Sequence, residues 1–208
     1  MVILVIVFFR GALNFFQSKD EFDGSIMLPY GTKIVAFGDS ITYGYNVPRD
    51  KSYPAQLANL LQVEVINEGI NGELSSEGLK RLPNVLDKHK PNILIICEGG
   101  NDIIQKKSLF KAKENIKRMI KITREKGVFV VIVGVPTVDI LTLSTAEFYY
   151  EIAKEMDVPL EDEALEKILN DPNLKIDYIH PNEKGYEILS NNLANLIIST
   201  YVPSDLSE

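Results

Sequence analysis

The sequence predicts a three-layer α/β fold built around a mainly parallel sheet. Short apolar stretches typical of buried strands begin near residues 33, 63, 92 and 128, about thirty residues apart. Stretches with helical periodicity separate them, which is the pattern of repeated β-α-β units. A length of 208 residues suits one domain with a single core. We therefore expect helices on both faces of one sheet.

Each predicted element has its own local signal. The strand stretches are short and rich in Val and Ile, while helices begin at residues suited to a first turn or an N-cap, such as Pro54 and Ser108. A break or kink is expected before Pro83, because a proline disrupts a helix interior. No fifth strand is identified, and the signal is weakest between residues 158 and 176. The predicted helices are residues 54–61, 75–89, 108–126 and 182–199.

Composition excludes several classes of protein. A single cysteine, Cys97, excludes an internal disulfide and a cysteine-rich zinc site, and at the end of an apolar strand it is expected to be a buried thiol. No metal-ligand spacing is present, so we expect no metal. The net charge of −7 argues against nucleic acid as a partner.

A serine follows the first predicted strand, in Gly38-Asp39-Ser40-Ile41-Thr42. The glycine permits a sharp turn, and ligands bind at the carboxyl edge of open α/β sheets. Ser40 is therefore a candidate nucleophile. A serine in an ordinary polar turn fits this short segment as well.

One of the two histidines has a carboxylate at a useful spacing. Asp177 precedes His180 by three residues, so it could accept the Nδ1 proton and leave Nε2 to take a proton from a hydroxyl. The alternative is a helix-capping aspartate beside a surface histidine. His89 lies at the polar end of a predicted helix, where we expect it to be solvated.

Two glycine-rich segments offer hydrogen-bond donors at the same edge of the sheet. Asn101, in Glu98-Gly99-Gly100-Asn101-Asp102, carries a side-chain amide, and Gly72 has a backbone N–H with no side chain beside it. Donors of this kind stabilise the oxyanion of acyl transfer. A glycine-rich turn with a left-handed asparagine is the alternative.

Together, these four segments resemble the SGNH hydrolases, the GDSL-type serine esterases, over about residues 33–199. The resemblance is greatest to the small bacterial branch of arylesterases, lysophospholipases and acyl-thioesterases. Ile41 stands where the family name has leucine. Asn71 precedes Gly72 where this branch often has serine, which leaves the glycine itself in place.

The resemblance implies a flavodoxin-like strand order, with Ser40 and Asn101 following the two strands beside the switch point. It implies that Ser40, Asp177 and His180 are catalytic. The implied oxyanion hole consists of the Ser40 and Gly72 N–H groups and the Asn101 side chain. The implied reaction is hydrolysis of acyl esters, lysophospholipids or acyl thioesters through an acyl-enzyme, without a cofactor.

Apolar residues near this predicted site favour an acyl-binding crevice. Ile103 and Ile104 follow Asn101, and the predicted loop at residues 134–143 includes Val135 and Pro136. We expect these four residues to contact substrate; simple cover of the sheet is the alternative. The residues do not rank esters, thioesters and lysophospholipids, and carbohydrate O-deacetylation stays open.

Two other classes of function agree less well with the sequence. A phosphatase or phosphotransferase with Asp39 as nucleophile is disfavoured, because the second Asp expected two residues later is missing. A non-catalytic flavodoxin-like binding module is disfavoured, because such a module need not keep all five predicted positions.

The charge is unevenly distributed. Residues 106–126 hold nine Lys or Arg and two Glu in an otherwise acidic chain. This predicted helix could approach anionic lipid or a substrate phosphate. The favoured interpretation is a solvated face whose apolar stripe (Leu109, Ala112, Ile116, Met119 and Ile120) lies on the sheet.

The N-terminus carries an apolar stretch, Val2–Phe9, too short to span a bilayer. We predict residues 1–27 to be an export signal or anchor with a polar spacer, residues 28–201 to be the single domain and residues 202–208 to be a tail. The predicted location is the cell envelope or periplasm, with possible membrane association through the N-terminus. An extra strand is the alternative.

Overall fold

A computed structural model of the protein describes residues 28–139 and 142–201. The predicted signal or anchor at residues 1–27 and the tail at residues 202–208 lie outside these residues and stay predictions. In the part of the chain that is described, no helix is both long and apolar enough to cross a membrane.

Five parallel strands form the central sheet in the order β2-β1-β3-β4-β7. This is the predicted flavodoxin-like order, with the switch point between β1 and β3. The four strands predicted from sequence are all present. The fifth, β7, has only two residues, which explains why no periodicity identified it. The strands of this sheet are β1 (Lys33–Gly38), β2 (Glu64–Gly69), β3 (Ile93–Cys97), β4 (Phe129–Val133) and β7 (Leu160–Glu161).

Helices cover both faces of the sheet and complete the three layers. Helix α2 packs against α8, α3 packs against α5, and α5 also contacts α6. Buried side chains of β1, β3 and β4 form the centre of the core. The α-helices are α1 (Ser40–Tyr43), α2 (Tyr53–Leu61), α3 (Ser75–His89), α4 (Gly100–Ile104), α5 (Leu109–Glu125), α6 (Glu147–Met156), α7 (Ala164–Asn170) and α8 (Glu183–Thr200), and a 3₁₀ turn spans Arg49–Lys51.

The expected break before Pro83 does not occur, because α3 runs unbroken from Ser75 to His89. A proline inside a helix costs about 3 kcal/mol. Leu82, Val85 and Leu86 are buried around it. Each such side chain contributes about 1.5–3 kcal/mol on burial, so packing outweighs the local penalty.

The segment after β4 is a short antiparallel hairpin rather than the predicted loop. Strand β5 (Pro136–Asp139) pairs with β6 (Thr142–Thr145) at the carboxyl edge of the main sheet. The hairpin is tied to α7, where the Asn170 side chain bonds the Leu143 backbone in both directions. This places Val135 and Pro136 beside the ends of β1 and β3.

Candidate active site

Ser40 is the first residue of α1, directly beyond the carboxyl end of β1. Asp39 caps the helix by accepting the Ile41 N–H at 3.0 Å. Gly38 is required by close packing, because a Cβ there would lie 2.2 Å from the Cys97 carbonyl oxygen of β3. The sharp turn and the short helix together direct Ser40 into the crevice at the switch point.

Ser40, His180 and Asp177 form a continuous hydrogen-bonded chain. Ser40 Oγ lies 2.9 Å from His180 Nε2, and His180 Nδ1 lies 2.8 Å from Asp177 Oδ2. Ser40 and His180 are 140 residues apart in sequence. This geometry allows His180 to accept the Ser40 proton while Asp177 fixes the ring orientation.

The Asp177–His180 pairing is built by a local turn. Asp177 Oδ1 accepts the N–H groups of Ile179 and His180, both at 2.9 Å. Burial alone would raise the pKa of Asp177, but the bonds from His180 and the two N–H groups hold it below its ordinary value. Asp177 is therefore ionised near neutral pH. The Tyr45 ring packs against the other side of His180, with ring centroids 4.5 Å apart.

Asn101 lies in α4, beside Ser40, as expected. Its amide nitrogen donates to Asp39 Oδ2 at 3.2 Å and to the Glu73 carbonyl oxygen at 3.0 Å. Gly99, with φ of +105°, makes the turn that brings it there. Both bonds hold the amide in place.

Gly72 lies in a turn with φ of +78°, which a residue with a side chain rarely adopts. The turn joins β2 to α3 at the same edge of the sheet, one residue before Glu73. Gly72 is exposed and does not line the cleft around Ser40. Its role as an oxyanion donor therefore stays a prediction.

The cleft beside Ser40 and His180 has a cavity volume of about 50 Å³. Three of the four apolar residues predicted to contact substrate, Ile104, Val135 and Pro136, line it. Ile103 does not: it packs against the hydrophobic core, because adjacent positions of α4 face different sides. Sequence reasoning did not single out Leu169, Tyr178 and Ile179, which also line the cleft.

A cluster of four buried carboxyl groups lies behind Ser40 and Asn101: Asp39, Glu73, Glu98 and Asp102. Burial raises the pKa of Asp39 to about 7, and the nearby Glu73 and Asp102 add to this. Asp102 accepts two bonds from Ser75 at the start of α3. Sequence reasoning missed this cluster, although Glu98, a charged residue closing an apolar strand, was a usable signal.

Arg81 partly neutralises the cluster. Its Nε lies 2.6 Å from Glu73 Oε1, and it also donates to the Glu68 carbonyl oxygen at 2.8 Å. The guanidinium lies 3.9 Å from the centroid of the Phe37 ring. Arg81 thus joins α3 to the end of β2 and to the turn that precedes α3.

Glu98 is fully buried, and neither carboxyl oxygen has a hydrogen-bond partner in the described part of the chain. Burial, followed by the nearby Asp39 and Glu73 charges, raises its pKa well above 4.5. The folded state therefore binds the carboxyl proton of Glu98 more tightly than the unfolded state does. The contribution of protonated Glu98 to the free energy of unfolding is complete at low pH and is lost as the pH rises above 4.5.

Glu98→Gln is therefore expected to stabilise the protein more at pH 8 than at pH 5. The gain at pH 8 should be about 1 kcal/mol, or roughly 2–4 °C in Tm for a domain of this size. Thermal unfolding at both pH values measures it. Glu125→Gln, at an exposed position, is the control and should show no such pH dependence. An equal gain for Glu98→Gln at both pH values would contradict the assignment.

His89 is not solvated as predicted, since its side chain is 13% exposed and its Nε2 lies 2.6 Å from Glu68 Oε1. Packing of α3 against β2 created this contact. Cys97 is buried at the end of β3, as expected. Across residues 28–139 and 142–201, no three His, Cys, Asp or Glu side chains converge to hold a metal ion.

Comparisons with known proteins agree with this fold. Residues 36–188 match the GDSL-like Lipase/Acylhydrolase family. An arylesterase of Vibrio mimicus is 28% identical, over 80% of this chain and 88% of its own. The thioesterase 1/protease 1/lysophospholipase L1 of Escherichia coli K12 is 26% identical, over 77% and 81%. The crystal structure of TesA superposes with a TM-score of 0.72 over 80% of this chain and 98% of its own; at 23% identity it supports the fold alone.

The fold and the cleft at its switch point define a hydrolytic enzyme of the α/β class. The chain belongs to the GDSL-like lipase/acylhydrolase family, the SGNH hydrolases. Within it, the protein is a carboxylic ester hydrolase of the branch that contains arylesterases and thioesterases.

Proposed function

We propose that the protein hydrolyses carboxylic esters through an acyl-enzyme formed on Ser40. Ser40 Oγ attacks the carbonyl carbon while His180 Nε2 takes its proton, and His180 then returns that proton to the leaving alcohol or thiol. Asp177 holds the reactive tautomer and stabilises the imidazolium. Water, activated by His180, releases the acid and restores Ser40. The observation that carries this proposal is the 2.9 Å contact between Ser40 Oγ and His180 Nε2.

We further propose that the oxyanion is stabilised by the Ser40 N–H, the Gly72 N–H and the Asn101 amide. Asp39 and the Glu73 carbonyl hold Asn101 from two directions in the free enzyme. An oxyanion would have to replace or share one of these two acceptors, so the support for this assignment is the position of the amide beside Ser40.

The proposed substrates are acyl esters, lysophospholipids and acyl thioesters. Ile104, Val135 and Pro136 supply apolar contacts for an acyl group close to Ser40. The cavity of about 50 Å³ fits only the first carbons of a chain. A longer chain would extend towards the rim, where Tyr178 is 88% exposed.

Labelling with a fluorophosphonate tests the nucleophile directly. Such a probe phosphonylates an activated serine, so we expect one adduct per chain by intact mass, mapped to the peptide that contains Ser40. Ser40→Ala should prevent labelling, whereas Ser76→Ala, an exposed serine on α3, should label like the wild type. Labelling at a different residue, or none, would refute the proposal.

A further inference from the structure

An apolar and basic surface lies next to the cleft, at the junction of α4 and α5. Ile104 is 51% exposed, Leu109 41% and Phe110 73%. Leu109 thus departs from the buried stripe of α5, whose other members Ala112, Ile116, Met119 and Ile120 are fully buried. Exposed apolar side chains grouped in this way mark an interaction surface.

Three exposed lysines are neighbours of these apolar residues in sequence: Lys106, Lys107 and Lys111. Within the described ranges, none of the three forms an ion pair. By contrast, three lysines in α5 or directly after it form ion pairs with acidic side chains: Lys113, Lys117 and Lys126. The positive charge left at this junction is therefore free to attract an anionic partner, although the whole chain carries −7.

The junction is held in a defined shape beside the active site. Helix α4 ends at Ile104, and Lys106, two residues later, has φ of +53°. The Lys107 N–H donates to the Asp102 carbonyl oxygen at 2.8 Å. Ser108 then caps α5. Ile104, at the near end of this junction, also lines the cleft. The surface and the mouth of the cleft therefore share a residue.

We propose that the protein docks on an anionic phospholipid bilayer through one surface, the junction surface. It consists of Ile104, Lys106, Lys107, Leu109, Phe110 and Lys111. Leu109 and Phe110 enter the boundary between headgroups and acyl chains, while the lysines contact lipid phosphates. Apolar and basic side chains bind membrane surfaces in these two ways. Docking there brings the mouth of the cleft to the membrane, where acyl substrates with a phosphate headgroup lie. This purpose rests on the proposed function; the binding itself does not.

Partitioning of the full chain onto vesicles tests the junction surface. The probes are vesicles of phosphatidylcholine alone and of equal parts phosphatidylcholine and phosphatidylglycerol. We expect the wild type to prefer the anionic vesicles and to lose that preference at high salt. Lys106→Glu/Lys107→Glu/Lys111→Glu should reduce partitioning by at least roughly 100-fold, because it removes three positive charges and adds three negative ones. Leu109→Ser/Phe110→Ser should reduce it roughly tenfold.

A charge-matched variant, Lys90→Glu/Arg118→Glu/Lys121→Glu, is the control. Its residues are exposed and none belongs to the junction surface, so it should partition better than the junction variant. Residues 1–27 are present in every variant, so their own contribution cancels. Equal partitioning of the two charge variants, or no wild-type preference for anionic vesicles, would overturn the proposal.

Soluble-substrate hydrolysis separates this inference from the proposed function. All the surface variants should hydrolyse p-nitrophenyl acetate like the wild type, because none replaces a residue of the cleft. Partitioning needs no catalysis, so it should persist in Ser40→Ala. If the protein binds vesicles through the junction surface but the fluorophosphonate does not label Ser40, the proposed chemistry is refuted. The proposal of a docking surface is then retained.

Discussion

Replacing Ser40 or His180 by alanine is expected to reduce kcat for p-nitrophenyl acetate by at least about 10⁴-fold. Each substitution breaks the 2.9 Å contact through which the hydroxyl would lose its proton. Because the two groups act as a unit, the double variant should be about as inactive as either single one. Steady-state kinetics with a burst-phase assay measures both steps.

His89→Gln is the matched histidine control. A glutamine can keep a bond to Glu68, so the fold should persist and kcat should stay near that of the wild type. The pH profile of kcat/KM should be the same in His89→Gln as in the wild type. Retention of a tenth of wild-type activity by Ser40→Ala would show that the nucleophile lies elsewhere.

Asn101→Ala is expected to reduce kcat by roughly 10²–10³-fold, with little change in KM. The amide should bind the oxyanion more strongly than the ground-state carbonyl, so its loss affects mainly the transition state. Asn59→Ala, at an exposed position on α2, is the control and should leave both constants unchanged.

A structural role alone would give a different result for Asn101. The amide bonds Asp39 and the Glu73 carbonyl, so its removal also leaves those acceptors without a donor. Misplacement of Ser40 through Asp39 would raise KM and lower the Tm along with kcat. A decrease in kcat of less than threefold, with KM unchanged, would remove Asn101 from the oxyanion hole.

The sequence predicted the parallel sheet and the residues at its carboxyl edge, because both depend on patterns within short segments of the chain. The turn at Gly38 and the three-residue spacing of Asp177 and His180 are local features. The structure brings the segments together, as the contact between Ser40 and His180 shows. Beyond this, the resemblance supplied the strand order and the role of each residue.

Other features depended on neighbours that no local pattern encodes. Pro83 stays inside a helix because three side chains around it are buried. The His89 side chain is largely buried and bonded because β2 brings Glu68 to it. Strand β7 has two residues and exists through its pairing with β4.

By itself, the sequence determined the α/β class, the four longer strands and the identity of the residues at the edge of the sheet, since periodicity and turn chemistry are local. Tertiary structure decided which of those residues touch. It buried Glu73 and Glu98 behind Ser40, and it packed Ile103 against the core while Ile104 stayed at the cleft. It also left Phe110 exposed next to the exposed Lys111. Burial and charge pairing are properties of packed neighbours, and distant segments of the chain supply those neighbours.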